Sequence, residues 1–280
     1  MSNMDGQTQT KLKTLMQTLP EGFVVTTSWL EEQGITRQLA SSYVASGWLE
    51  RVIQGLYRRP LSGMTQQTPD WRAAVLSAQR LMHHRFHVGG LTSLALQGHV
   101  HYLRLSAVAP VYLYGEDVPN WLLNLPLEAQ VVRRQASLFE DPHLGVADLR
   151  INKWDGGNMT LVMRRWTLTM STPERAILET INDVPRDESF HNIDVLFESL
   201  VNLRPKLLTE LLETCFSIKA KRLFMIYADK HNHAWRKHLD ITKVNFGTGD
   251  RALTEGGKLH PLYRITVPAE LMPKDASDGP

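Results

Sequence analysis

The stretch "GITRQLASSYVASGWLERVIQGLYRRP", residues 34–60, admits few folds. Thr36 offers a side-chain oxygen to the free amides of a helix start, and Gly47 can take the left-handed conformation that ends a helix. The segment "RQLASSYVAS" between them predicts a short helix. "WLERV" and "LYRR" then flank "IQG", so Gly55 can supply the tight turn of a β-hairpin. Upstream, Leu12, Leu15, Met16 and Leu19 recur at i, i+3, i+4 and i+7, one face of a helix that stops at Pro20. Ser28 and Glu31 have capping-box spacing for a second helix that ends at Gly34. Three helices followed by a hairpin is the layout of a winged helix-turn-helix.

On the third predicted helix, Leu39, Ala40, Tyr43 and Val44 fall on one side. Arg37, Gln38, Ser41, Ser42 and Ala45 fall on the other. A face that is small and polar lets a helix lie close to the floor of the DNA major groove. There Arg and Gln can bond guanine and adenine edges, and serines can bond phosphates. Arg51, Arg58 and Arg59 on the hairpin can project toward backbone phosphates. The same layout also serves protein-docking modules. Residues 1–60 carry six cations against five carboxylates, a net +1. One copy has few charges with which to displace counterions, so a DNA site is expected to use two copies, as on an inverted repeat.

"RPLSGMTQQTP", residues 59–69, has no apolar periodicity and reads as a linker, with a boundary near 62–68. We therefore expect a DNA-binding domain over 1–62 and a second domain over 63–280. Thr68 followed by Pro69 predicts the opening of an amphipathic helix, "DWRAAVLSAQRLMHH". Helical and strand-like segments alternate from there to residue 170, including strands in "SAVAPVYLYG", "AQVVRRQASLF" and "NMTLVMRRWTLTM". Ser171 and Glu174 then match a capping box, with Pro173 just inside a helix. Helical periodicity continues over roughly 172–238. The expected class is α+β: a winged helix-turn-helix domain joined to a larger mixed α/β domain with a C-terminal helical layer. The longest apolar runs fall well short of the roughly 20 residues that a membrane span requires. The N-terminus has no apolar leader and Cys215 is the single cysteine, which point to a reducing cytoplasm.

Several other motifs bear on chemistry. Gly89 and Gly90 precede a helix start, where backbone amides can hold phosphate, and this supports an alternative reading as a nucleotidyltransferase-like enzyme. The Lys-Ser/Thr pair of a P-loop is missing from that turn. Glu116 and Asp117 are adjacent, so in a strand they point to opposite faces and make a poor magnesium pair. The bland alternative is that the glycines allow close packing. His83 and His87 have the i, i+4 spacing of metal ligands, within a set that includes His84, His99 and His101. Phe86, Val88 and the glycines place the end of the helix before His87, which breaks that pair, and we expect no metal and no cofactor. No serine sits in a G-x-S-x-G setting. Residues 201–251 hold ten cations against five carboxylates, a net +5. Lys219, Lys221 and Arg222 within them read either as a basic surface for an acidic partner or nucleic acid, or as a solvated helix face.

With these residues in hand, the chain resembles the AbiEi family of antitoxins from type IV toxin-antitoxin and abortive-infection systems. The resemblance rests on "WLEEQGITRQLASSYVASGWLERVIQGLYRRP", "HVGGLTSLALQGHVHY", "TPERAILE", "LVNLRPKLLTELLETCFSIKAKRLF", "GTGDR" and "YRITVP", and on their order. It implies a phage-defence antitoxin without catalysis of its own. The winged helix-turn-helix would repress the operon's own promoter by binding inverted repeats in double-stranded DNA, as a homodimer or cooperatively. The C-terminal domain would counter a toxin of nucleotidyltransferase type, directly or indirectly. Thr36, Arg37, Gln38, Ser41 and Ser42 match the recognition helix, and Arg51, Gln54, Arg58 and Arg59 match the wing. For the antitoxin surface the resemblance offers Lys219, Lys221, Arg222 and Arg251, with Asp250 diluting charge in a loop that the family tends to make basic.

Overall fold

The computed structural model describes residues 2–61, 68–99, 110–151 and 166–273. The linker at 62–67, His101 and the strand segments expected at 106–109 and 158–165 lie outside the described residues. The described residues form two compact units, drawn from 1–86, 105–133 and 149–168 for the first and from 87–104, 134–148 and 169–280 for the second. Both mix helices and strands, which makes the chain α+β.

In the first unit, α1 (Ser2–Thr18) leads to β1 (Val24–Thr26), α2 (Thr27–Glu32), α3 (Arg37–Ala45), β2 (Glu50–Ile53) and β3 (Leu56–Arg58). The strands form an antiparallel sheet in the order β1-β3-β2. Gln54 and Gly55 turn the hairpin, and Gly55 has the positive φ, 78°, that such a turn demands. The register sets Glu50 opposite Arg58, and a bulge between Arg51 and Ile53 adds twist to the outer strand. Leu15, Leu19, Phe23, Val25, Leu30, Ile35, Ala40, Tyr43 and Leu49 are buried and close the core.

Two helix starts differ from the sequence expectation. Thr26, not Ser28, caps α2 by accepting from the Trp29 amide, because the helix follows β1 directly and begins at Thr27, two residues earlier than the capping box implies. Asp70, not Thr68, caps α4 (Trp71–Leu76), whose last turn widens into a π-helical segment, Ser77–Leu81. This segment supports the N-terminal sheet. The Val24 amide donates to Ser77 Oγ at 3.0 Å, and the Trp29 indole donates to the Leu81 carbonyl. The first unit also contains β5 (Pro110–Tyr114), α6 (Asn120–Leu123) and most of β6 (Gln130–Arg134).

In the second unit, β4 (His87–Val88) runs parallel to β8 (Leu168–Ser171), and β7 (Val146–Leu149) lies on the other side of β8. Here α5 (Gly90–Leu96) packs on α7 (Pro173–Asn182). α8 (Phe190–Ser199), α9 (Pro205–Thr214) and α10 (Ile218–His231) complete the helical layer, and a small hairpin of β9 (Lys258–Leu259) and β10 (Thr266–Val267) follows. α10 is the centre of this layer, for every residue from Ala220 to Ala228 is buried. A helix covered all round is a core element, not an amphipathic surface one.

Candidate nucleic-acid interface

The site starts with Thr36. Its Oγ1 accepts from the Leu39 amide at 3.3 Å, and Gly34, at φ 74°, reverses the chain between α2 and α3. Lys11 reaches across from α1 and donates to the Gly34 carbonyl at 2.8 Å, fixing the turn. α3 buries Ala40 and Tyr43 and exposes Thr36, Arg37, Gln38, Ser41 and Ser42. The side placed inward by periodicity is the buried side. The Arg37 side chain is 80% exposed, with Nε donating to Glu31 Oε1 at 3.0 Å. The Ser41 hydroxyl donates to the Arg37 carbonyl, so a phosphate contact there would exchange one hydrogen bond for another.

The wing divides its cations. Arg51 and Gln54 are exposed. Arg58 is buried and donates through Nε to Glu50 at 2.9 Å, its cross-strand neighbour. Arg59 is half-buried and donates to the carbonyls of Met16 and Leu19 at the end of α1, with Glu21 also within reach. The expectation that Arg58 and Arg59 project outward as phosphate anchors is corrected. Opposite charges face each other across the hairpin, and the unpaired carbonyls of a helix C-terminus draw the second guanidinium.

A larger correction applies to the second unit. Lys221 and Arg222 are each 3% exposed, so they form no basic surface. Arg222 donates to the carbonyls of Phe246, Gly249 and Arg264, pinning the loop that contains "GTGDR" from beneath. Lys219 Nζ donates to the Asn182 and Val184 carbonyls at the C-terminal end of α7, and burial pushes its pKa down. Lys219 and Arg222 are i, i+3 neighbours on one row of the helix, but that row is covered and does not face water. Of the four residues, Arg251 alone is exposed, while its neighbour Asp250 pairs with Arg264 at 2.6 Å.

The Gly89–Gly90 turn is already filled. The Gly90 amide donates to Glu179 Oε2 at 2.8 Å, and Ser171 Oγ donates to the same oxygen at 2.7 Å. Glu179 Oε1 is held by Arg175 Nε at 2.7 Å and lies 3.0 Å from His87 Nε2. All five groups are buried. Burial favours the neutral acid, but His87 and Arg175 outweigh it and hold the Glu179 pKa down to about 2. An internal carboxylate thus occupies the amide on which a nucleotide phosphate would depend. Ser171 and Glu174 form no capping box either. Thr172 takes the cap position, Ser171 serves Glu179, and Glu174 receives Arg204. The His83–His87 pair is broken as expected: His83 has φ 58°, outside a helix, and His87 lies on β4.

Residues 109–268 match the profile of the family described as "Transcriptional regulator, AbiEi antitoxin, Type IV TA system", and residues 8–105 match that of the AbiEi antitoxin N-terminal domain. The chain belongs to the AbiEi antitoxin family. The crystal structure of the RV2827C protein from Mycobacterium tuberculosis superposes on this AbiEi antitoxin with a TM-score of 0.57 at 18% identity. It covers 92% of this chain and 90% of the other, which shows a shared fold. A comparison with curated proteins finds no match. The antitoxin is a transcriptional regulator of a type IV toxin-antitoxin system. No helix among its described residues is long and apolar enough to cross a membrane.

Proposed function

We propose that this antitoxin represses its own operon by laying α3 in the major groove of inverted-repeat promoter DNA. The observation that carries the reading is the outward face of α3, which combines exposed Arg37, Gln38, Ser41 and Ser42 with a cap and turn that hold the helix start. Thr36 and the wing residues Arg51 and Gln54 add contacts to the backbone. Residues 1–62 hold the DNA-contacting motif, and the 71–81 segment supports it. With two exposed arginines on this motif, Arg37 and Arg51, one copy should bind weakly, and two copies on an inverted repeat give useful affinity.

The same reading gives the C-terminal part the task of countering a nucleotidyltransferase-type toxin, with Arg251 as the exposed cation of its Gly-rich loop. Arg251→Ala is expected to lower the rescue of cells that express the toxin without lowering DNA binding. Repression is tested by gel shift with the DNA directly upstream of the reading frame, across a salt series. Wild type should prefer that duplex to a shuffled one, and Arg37→Ala with Gln38→Ala should bind both alike. A wild type that shifts neither duplex refutes the reading.

A further inference from the structure

Glu31 stands near the end of α2 and Arg37 opens α3, so the turn between the helices sets a carboxylate against the first residue of the outward face. The contact uses one edge of the guanidinium, Nε to Oε1 at 3.0 Å. Arginine carries five donors in a planar fork. With Nε held, the distal edge formed by its two terminal nitrogens has no partner among the described residues, and the side chain is 80% exposed. That edge matches the paired O6 and N7 acceptors of guanine. Arg58 and Arg59 differ, since their terminal nitrogens are spent on Glu50 and on the α1 carbonyls.

An exposed ion pair of this kind adds little to folding stability. A carboxylate on the face of a DNA-binding motif also repels phosphates and weakens binding to every duplex. What Glu31 supplies is order: a long side chain that would otherwise lose its rotamer freedom on binding is restrained beforehand. Lower affinity for all sequences, combined with better aim of one base-reading group, raises discrimination. Resting on the DNA-binding reading above, we propose that Glu31 is a positioning residue for base readout. It holds Arg37 by Nε so that the distal edge meets a guanine, and its charge suppresses sequence-independent binding.

The test uses the full-length protein and three duplexes: the DNA directly upstream of its reading frame, the same DNA with 7-deazaguanine replacing guanine, and a shuffled sequence. Glu31→Ala should bind the shuffled duplex more tightly than wild type does and lose about threefold to tenfold of the specificity ratio. Its penalty for 7-deazaguanine, which lacks the N7 acceptor, should shrink. Glu31→Gln keeps an acceptor oxygen and should restore part of the ratio. In an Arg37→Ala background, Glu31→Ala should leave the ratio unchanged. An equal loss in that background would assign Glu31 a structural role and overturn the inference. So would a wild-type ratio and deaza penalty in Glu31→Ala. A wild type without preference for its upstream DNA would overturn the DNA-binding reading and this inference together.

Discussion

On α3, Arg37 lies open to solvent beside Gln38 and two exposed serines. On α10, Lys221 and Arg222 are buried, and Arg222 is spent on three backbone carbonyls. Both helices show neighbouring polar and charged residues in the sequence, and α10 lies in the more basic segment. The difference comes from what surrounds the cations. α3 has one apolar side and small residues elsewhere, so its polar face stays outside. α10 intersperses its cations among Ala220, Leu223, Phe224, Ile226 and Tyr227, which need cover on every side. A local excess of positive charge therefore predicts a partner only where the helix has a free face.

The comparison can be broken first at the interior charges. Glu179→Gln removes the anion that Arg175 and His87 face and should cost about 3–5 kcal/mol in urea unfolding at neutral pH. Because the folded carboxyl titrates near 2, below its ordinary 4.5, its contribution is complete above about pH 4.5 and is lost as pH falls toward 2. Wild-type stability should decline through that window and the variant's should decline less; parallel curves would contradict the assignment. Arg222→Ala comes next, at about 3 kcal/mol, since it strips a charged donor from three carbonyls. A loss under about 1 kcal/mol would return Arg222 to the surface class.

Two smaller effects sharpen the wing. Arg58→Ala should cost about 1–2 kcal/mol of stability by leaving Glu50 without its cross-strand partner. Arg51→Ala should leave stability within about 0.5 kcal/mol. It should lower the salt slope of DNA binding by about 1, as the loss of one phosphate contact does. The reverse assignment of effects would contradict the division of the wing. Smallest is the stability change of Arg37→Ala, again within about 0.5 kcal/mol, because its side-chain partner among the described residues is an exposed carboxylate.

The N-terminal motif was legible because its signals are local. Gly47 and Gly55 announce a stop and a turn, Thr36 announces a start, and the period of α3 sorts inside from outside. Long-range pairing was not legible. Nothing near Arg58 in the sequence shows that Glu50 will face it, which depends on hairpin register. Nothing near Gly90 names Glu179, 89 residues away. The role of Glu31 was hidden behind its capping-box spacing with Ser28, and only the two-residue shift of the cap to Thr26 releases it. In the second unit, periodicity found the helices of the C-terminal layer but could not rank them by depth, so the central one passed for a surface.

Guanine N7 lies in the major groove, and its methylation by dimethyl sulfate reports directly on whether a side chain covers it. Wild-type protein on its own upstream DNA should protect guanines in both arms of an inverted repeat. Arg51→Ala should keep that protection once binding is saturated, and Arg37→Ala with Gln38→Ala should lose it. Protection that persists in the double variant, or none in wild type at saturation, would contradict base reading by α3.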